Sequence, residues 1–178
     1  MLIALFMLTM RSPVPDGNPA PLQVVPSVDL VRYCGTWYEI ARLPNRFQKD
    51  CAGNVTATYT LLDDGTVKVV NRCRKADGEV AEAEGKARRR SDADPASKLE
   101  VRFAPSWLSI FPFVWGNYWI IDLAPDYSYA VIGEPSREYL WILSRTPALG
   151  SDVYAGILER IRNQGYDPAA LVMTHQGE

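Results

Sequence analysis

WGNYWIIDLAPDYSYAVIGEPSREYLWILSRTP, residues 115–147, decides the fold. Three β-rich runs follow one another in it, Tyr118–Leu123, Tyr127–Gly133 and Tyr139–Arg145, each closed by a turn containing Pro or Asp. Large apolar residues alternate with others at the period-2 spacing of a half-buried strand. The separators are only a few residues long, which permits antiparallel neighbours and forbids helical crossovers between parallel strands. Such a meander has to enclose something.

Upstream the same alternation recurs. Gly35–Leu43 reads as a first strand after one short helical turn at Asp29–Tyr33. Val55–Leu62 and Thr66–Arg74 flank Asp63-Asp64-Gly65, a strong hairpin signal. Ala81–Arg89 and Lys98–Ala104 follow, split by Ser91–Ala96. With the meander this makes an all-β row of eight antiparallel strands, and closing the row on itself removes two exposed edges. Downstream, Ser151–Gln164 reads as a helix, with Tyr154, Ile157, Leu158 and Ile161 on one face, Ser151 as N-cap and Gly165 as the stop. Its apolar stripe predicts packing on the outside of the barrel. A short strand is expected near Leu171–Thr174.

The chain starts differently. Residues 2–8, LIALFML, are apolar but too short to span a bilayer, and read as a signal-like leader without a preceding Lys or Arg. Pro13, Pro15, Pro19, Pro21 and Pro26 make residues 12–26 an extended, unpacked linker. The expected division is therefore a leader and linker over 1–27 and a barrel domain over 28–178. No cysteine directly follows the apolar run, so a lipid-attachment site is not expected in the sequence as it stands.

Composition narrows the function. A net charge of −2 gives no electrostatic case for nucleic acid, and the Arg88–Arg90 run is answered at once by Asp92 and Asp94. The one histidine, His175 near the C-terminus, speaks against a multi-histidine metal site and a histidine-based triad. No cofactor is expected.

Gly35-Thr36-Trp37-Tyr38, Asp126-Tyr127 and Arg145 form a spaced set that resembles the three signatures of the lipocalin family over residues 29–175. GTWYEIARLP, VTATYTLLDDGTVKVVN and YLWILSRTP most resemble the bacterial branch that also contains apolipoprotein D. Pro125 stands where that family commonly has Thr. The resemblance implies an eight-stranded up-and-down barrel, closed at one end, that carries a hydrophobic ligand. It also implies that Arg145 packs over Trp37 to plug the closed end. Asp122, in register to point inward there, is expected to pair with Arg145.

Parity places the pocket. If Arg145 faces inward, so do Leu143, Trp141 and Tyr139. Aligned on the family, Tyr118, Ile120, Ala130, Ile132, Val101, Phe103, Val69, Asn71, Tyr59 and Ala83 also face in. Trp141, Tyr118 and Tyr139 lead as ligand contacts. The small residues Ala83, Gly85, Ala87 and Ala130 favour a cavity over a filled core. The expected ligand is a fatty acid or lysophospholipid, and the expected place is the bacterial cell envelope.

Two features stand apart. The mouth loop Trp107, Leu108, Ile110, Phe111 and Phe113, up to Trp115, has three readings: a peripheral membrane contact, a homodimer interface or lid, and a loop tucked onto its own barrel. Cys51 and Cys73 flank the hairpin, and a bridge between them would staple it in an oxidising compartment. Cys34 is left over and expected to be buried. Without the bridge, Cys73 would offer a nucleophile for an enzyme, although no histidine is near to activate it. A haem or pigment binder is a further alternative, with only a tyrosinate as haem ligand.

Overall fold

The computed structural model describes residues 20–103 and 115–177. Strands run β1 Gly35–Arg42, β2 Cys51–Leu61, β3 Val67–Lys75, β4 Val80–Arg89, β5 Lys98–Arg102, β6 Gly116–Leu123, β7 Tyr129–Gly133 and β8 Leu140–Ser144. Each pairs antiparallel with the next, and β1 pairs with both β2 and β8, which closes the barrel. A short helix, α1 (Leu30–Tyr33), precedes β1, and helix α2 (Ser151–Asn163) follows β8. A two-residue strand, β9 (Val172–Met173), pairs with the end of β1.

Alternation divides the apolar side chains between two cores. Along β6 to β8, Ile120, Ala130, Ile132, Trp141 and Leu143 turn into the barrel with Trp37, Tyr59 and Val69. Their sequence neighbours Ile121, Val131, Leu140 and Ile142 turn outward, onto Ile157 and Ile161 of α2. Both helix isoleucines are essentially fully buried, each contributing about 1.5–3 kcal/mol. The amphipathic stripe thus holds α2 against the outer face, as its spacing predicts. Gly133 makes room beneath: a Cβ there would collide with the Tyr166 hydroxyl, which bridges the N–H and C=O of Glu134 at 3.0 and 3.1 Å.

The β1–β2 seam is only half made of those two strands. They pair from Gly35 to Tyr38 and then splay. The chain from β9 onward fills the gap: Asn54 N–H donates to His175 C=O (2.8 Å), and the Gln176 amide donates to Glu39 C=O and Val55 C=O (both 2.8 Å).

Four expectations need correction. Asp122 does not face inward to Arg145. A register shift between Ile120 and Asp122 places an extra residue on the outer face, as a β-bulge does, and Asp122 accepts from Arg160 of α2 at 2.7 Å. Tyr127 is not in a strand; it lies in the turn before β7 at φ +64°, held where its hydroxyl accepts from Asp29 N–H (2.9 Å). The N-cap of α2 is Gly150, not Ser151. The described part of the proline-rich segment packs: Leu22 is buried among the outer-core residues, and Val25 N–H donates to Ile120 C=O (3.0 Å).

Candidate functional site

Up-and-down connectivity puts the β1–β2, β3–β4, β5–β6 and β7–β8 connections at one end and the rest at the other. The second end is closed. Asp29 caps α1 by accepting from Val31 and Arg32 N–H (2.9 and 3.3 Å), which holds Tyr33 under the barrel floor. Trp37 is completely buried, and its indole N–H donates to Tyr33 C=O at 2.8 Å. The Arg145 guanidinium lies 3.8 Å from the Trp37 ring centroid and donates to the carbonyls of Arg32, Tyr33, Thr36 and Cys34 at 2.7–3.1 Å. Gly35 sits at φ +99° with Arg145 Nη1 only 3.2 Å from where a Cβ would stand, so glycine suits both conformation and space. Burial pulls the Arg145 guanidinium down from its ordinary value. Asp126 forms the β6–β7 turn by accepting from Ser128 N–H (3.0 Å).

Above this floor three phenols meet. Tyr33 and Tyr59 each share a hydrogen bond with the Tyr118 hydroxyl, at 2.7 and 2.8 Å. Burial pushes all three up, Tyr59 to about 12, so they are neutral phenols near pH 7. Higher in the barrel, Asn71 faces Ala57 and Ala83 across the neighbouring strands, and its buried side-chain oxygen has no hydrogen-bond partner among the described residues. Phe103 extends the β5 register beyond Val101 and lays its ring against Gly85.

The mouth side has a polar brace. Glu39, two residues beyond Trp37 and so on the same face, is buried. It accepts from the Gln48 amide (2.6 Å) and from the Thr174 hydroxyl, and lies 3.5 Å from Arg42. Burial raises its carboxyl, against the pull of those donors. The same Gln48 accepts from the Trp141 indole N–H (2.8 Å). Trp141 stacks on Tyr139 (5.9 Å, 7°), and Tyr139 contacts exposed Phe47 (5.6 Å).

Of the residues named from parity, Tyr59, Val69, Ile132, Tyr118, Val101 and Trp141 meet in the interior core. Asn71 and Ala83 lie on the same wall, Ala83 exposed. Tyr139 belongs to the rim instead. Trp107, Leu108, Ile110, Phe111 and Phe113 lie outside the described residues. Tyr33, Glu39 and Gln48 were missed. Parity counted on from Trp37 would have found Glu39; nothing in the pattern marks a helical Tyr or a loop Gln as inward. A separate depression of about 340 Å³ between the tail and the β2–β3 rim, lined by residues such as Asn54, Arg74 and His175, shares no residue with the interior wall.

Cys51 and Cys73 form a disulfide, with Cα atoms 5.6 Å apart. The enzyme reading through Cys73 is thereby overturned, because the bridge consumes the thiol it needs. Cys34 is free and half-buried, and desolvation raises its thiol. Among the described residues no group of His, Cys, Asp and Glu suits a metal ion.

Residues 28–176 match the model of the lipocalin-like domain family. The chain is 41% identical over 158 residues to temperature-induced lipocalin-1 of Arabidopsis thaliana, covering 88% of this chain and 84% of that protein. It is 37% identical over 174 residues to outer membrane lipoprotein Blc of Escherichia coli K12 (97% and 92% covered). It is 38% identical over 140 residues to apolipoprotein D of Rattus norvegicus (74% and 67%). In structure it matches insecticyanin of Manduca sexta with a TM-score of 0.68 over 91% of this chain and 88% of that one. At 20% identity that match speaks for the fold alone.

Proposed function

The chain belongs to the lipocalin family, and from that premise we propose that it carries a single-chain lipid, a fatty acid or a lysophospholipid, inside the barrel. The observation that carries this reading is the interior wall. Apolar side chains of β3, β6, β7 and β8 face one another, with Ala57, Ala83, Gly85 and Ala130 leaving the wall thin between them. Transfer of an acyl chain into such surroundings contributes about 0.8 kcal/mol per CH₂ before ordering costs. A sixteen-carbon chain thus brings roughly 12 kcal/mol gross, which leaves micromolar binding within reach after those costs. Trp141 and Tyr139 flank the entrance, and the polar brace through Gln48 fixes Trp141 in place.

Relatives named as outer membrane lipoproteins support a place in the bacterial envelope, and the disulfide agrees with an oxidising compartment. The apolar run 107–115, between β5 and β6 in sequence, has a composition that suits peripheral contact with a membrane surface. Organic extraction and mass spectrometry of lipid co-purifying with the protein, beside Trp141→Ala, tests the reading. Acyl species depleted in the variant are expected. Absence of lipid, together with no uptake of added fatty acid or lysophospholipid, overturns it.

A further inference from the structure

Three buried hydroxyls stand in a row: Tyr33 to Tyr118 at 2.7 Å and Tyr118 to Tyr59 at 2.8 Å. Among the described residues they have only one another as hydrogen-bond partners. A phenol carries one proton, so the row holds three protons and makes two hydrogen bonds. Whichever way the bonds run, one proton is left without an acceptor. Removing the end members one at a time never changes that surplus, because each deletion takes away one proton and one bond together.

The surroundings say where the surplus points. Tyr33 and Tyr59 are buried, whereas Tyr118, the central member, keeps part of its surface accessible on the interior wall. When both neighbours donate to Tyr118, the proton left over is that of the half-buried central residue. Burial keeps all three groups in the neutral, proton-bearing form. Beneath them, Arg145 is held by backbone carbonyls and the Trp37 ring, and its charge lowers the Tyr33 phenol. Among the described residues the buried carboxylate nearby, Glu39, is engaged by Gln48, Thr174 and Arg42. The floor is thus donor-rich, with the Arg145 charge acting on Tyr33 and the Glu39 carboxyl, farther up, on Tyr59. An unsatisfied buried donor is costly, and a ligand that relieves it gains what the free protein lacks.

We propose that the Tyr33–Tyr118–Tyr59 row is a receptor for a single oxygen acceptor, so that a free fatty acid enters carboxyl-first and rests its head on Tyr118 with its chain toward the mouth. This rests on the carrier reading and separates its two ligand classes. A carboxylate takes the spare proton; a carboxylic acid takes it through C=O and returns its own O–H to an open tyrosine lone pair. A lysophospholipid head brings several acceptors and a cation to a floor offering one proton beside a guanidinium.

The test uses hexadecanoic acid and N-phenyl-1-naphthylamine, a dye without oxygen, titrated into the wild type and Y33F/Y59F/Y118F. Replacing a whole hydrogen-bonded set by apolar rings of the same shape is close to neutral for stability. The affinity ratio of acid to dye is expected to drop at least tenfold in the variant. On the wild type alone, hexadecanoic acid is expected to bind at least tenfold tighter than hexadecylamine, whose head only donates; this arm decides if the variant does not fold. An unchanged ratio in a folded variant, or an amine that binds as tightly as the acid, overturns the carboxyl-first site and leaves the carrier reading standing. A wild type that binds none of the three overturns both.

Discussion

The Arg145 guanidinium lies 3.8 Å from the centre of the Trp37 indole and gathers four backbone carbonyls from the end of α1 and the start of β1. It therefore ties the last barrel strand to the first and to α1. Lysine cannot reproduce a planar fan of donors. Arg145→Lys should lower unfolding free energy by about 2–4 kcal/mol, and Arg145→Ala by at least as much, both read as urea midpoints with unchanged slope.

Glu39 sets a pH dependence. Its folded-state carboxyl is raised by burial, so the folded protein holds this proton more tightly than the unfolded chain. The contribution is fully present below the ordinary glutamate value and is lost as pH rises through the raised one. Glu39→Gln does not titrate. The stability difference between wild type and Glu39→Gln should therefore shift in favour of the wild type as pH falls from neutral to the ordinary glutamate value. A difference independent of pH would rule out titration of Glu39 in that window.

The disulfide closes the open end of the β2–β3 hairpin, with its two cysteines 22 residues apart. Chain-entropy reasoning assigns such a loop about 3 kcal/mol. Cys51→Ala/Cys73→Ala should unfold at correspondingly lower denaturant, and a reducing agent should shift the wild type but not the variant.

Gly133 and Tyr166 form a testable pair. Gly133→Ala should cost about 2 kcal/mol or more, because the Tyr166 hydroxyl occupies the space of the new Cβ. Tyr166→Phe alone strands the Glu134 N–H. The double variant should be more stable than the sum of the two losses, giving a favourable coupling energy in a double-mutant cycle.

Asp122 shows how far the sequence could be read and where it stopped. Strict alternation along Tyr118–Leu123 sorts Ile120 from Ile121 correctly, and the same rule on β7 and β8 yields the interior wall. It fails one residue later, because a bulge is an extra residue without a composition signal of its own. The eight-strand row and the outer helix follow from periodicity and turn chemistry, which are local properties; the closed barrel comes with the family resemblance, and the hairpin makes the Cys51–Cys73 bridge feasible without deciding it. The positions of Tyr33 and Gln48 depend on how a helical turn and a loop fold back over the barrel ends, which periodicity does not encode. The packing of residues 20–26 was hidden for a related reason: proline fixes the extended backbone but not what it lies against.

The half-made β1–β2 seam bears on how the molecule is assembled during synthesis. Tyr38 finds its partner Ser144 about a hundred residues later, and such non-local pairing waits for the intervening chain. Until β8 emerges, one edge of β1 is unpaired, and until residues 172–177 follow, the splayed half of the other edge is open as well. Open strand edges are where a second chain can add. The nascent barrel is accordingly most exposed to mispairing until β8 arrives, and residues 172–177 act as the latch that ends the exposure.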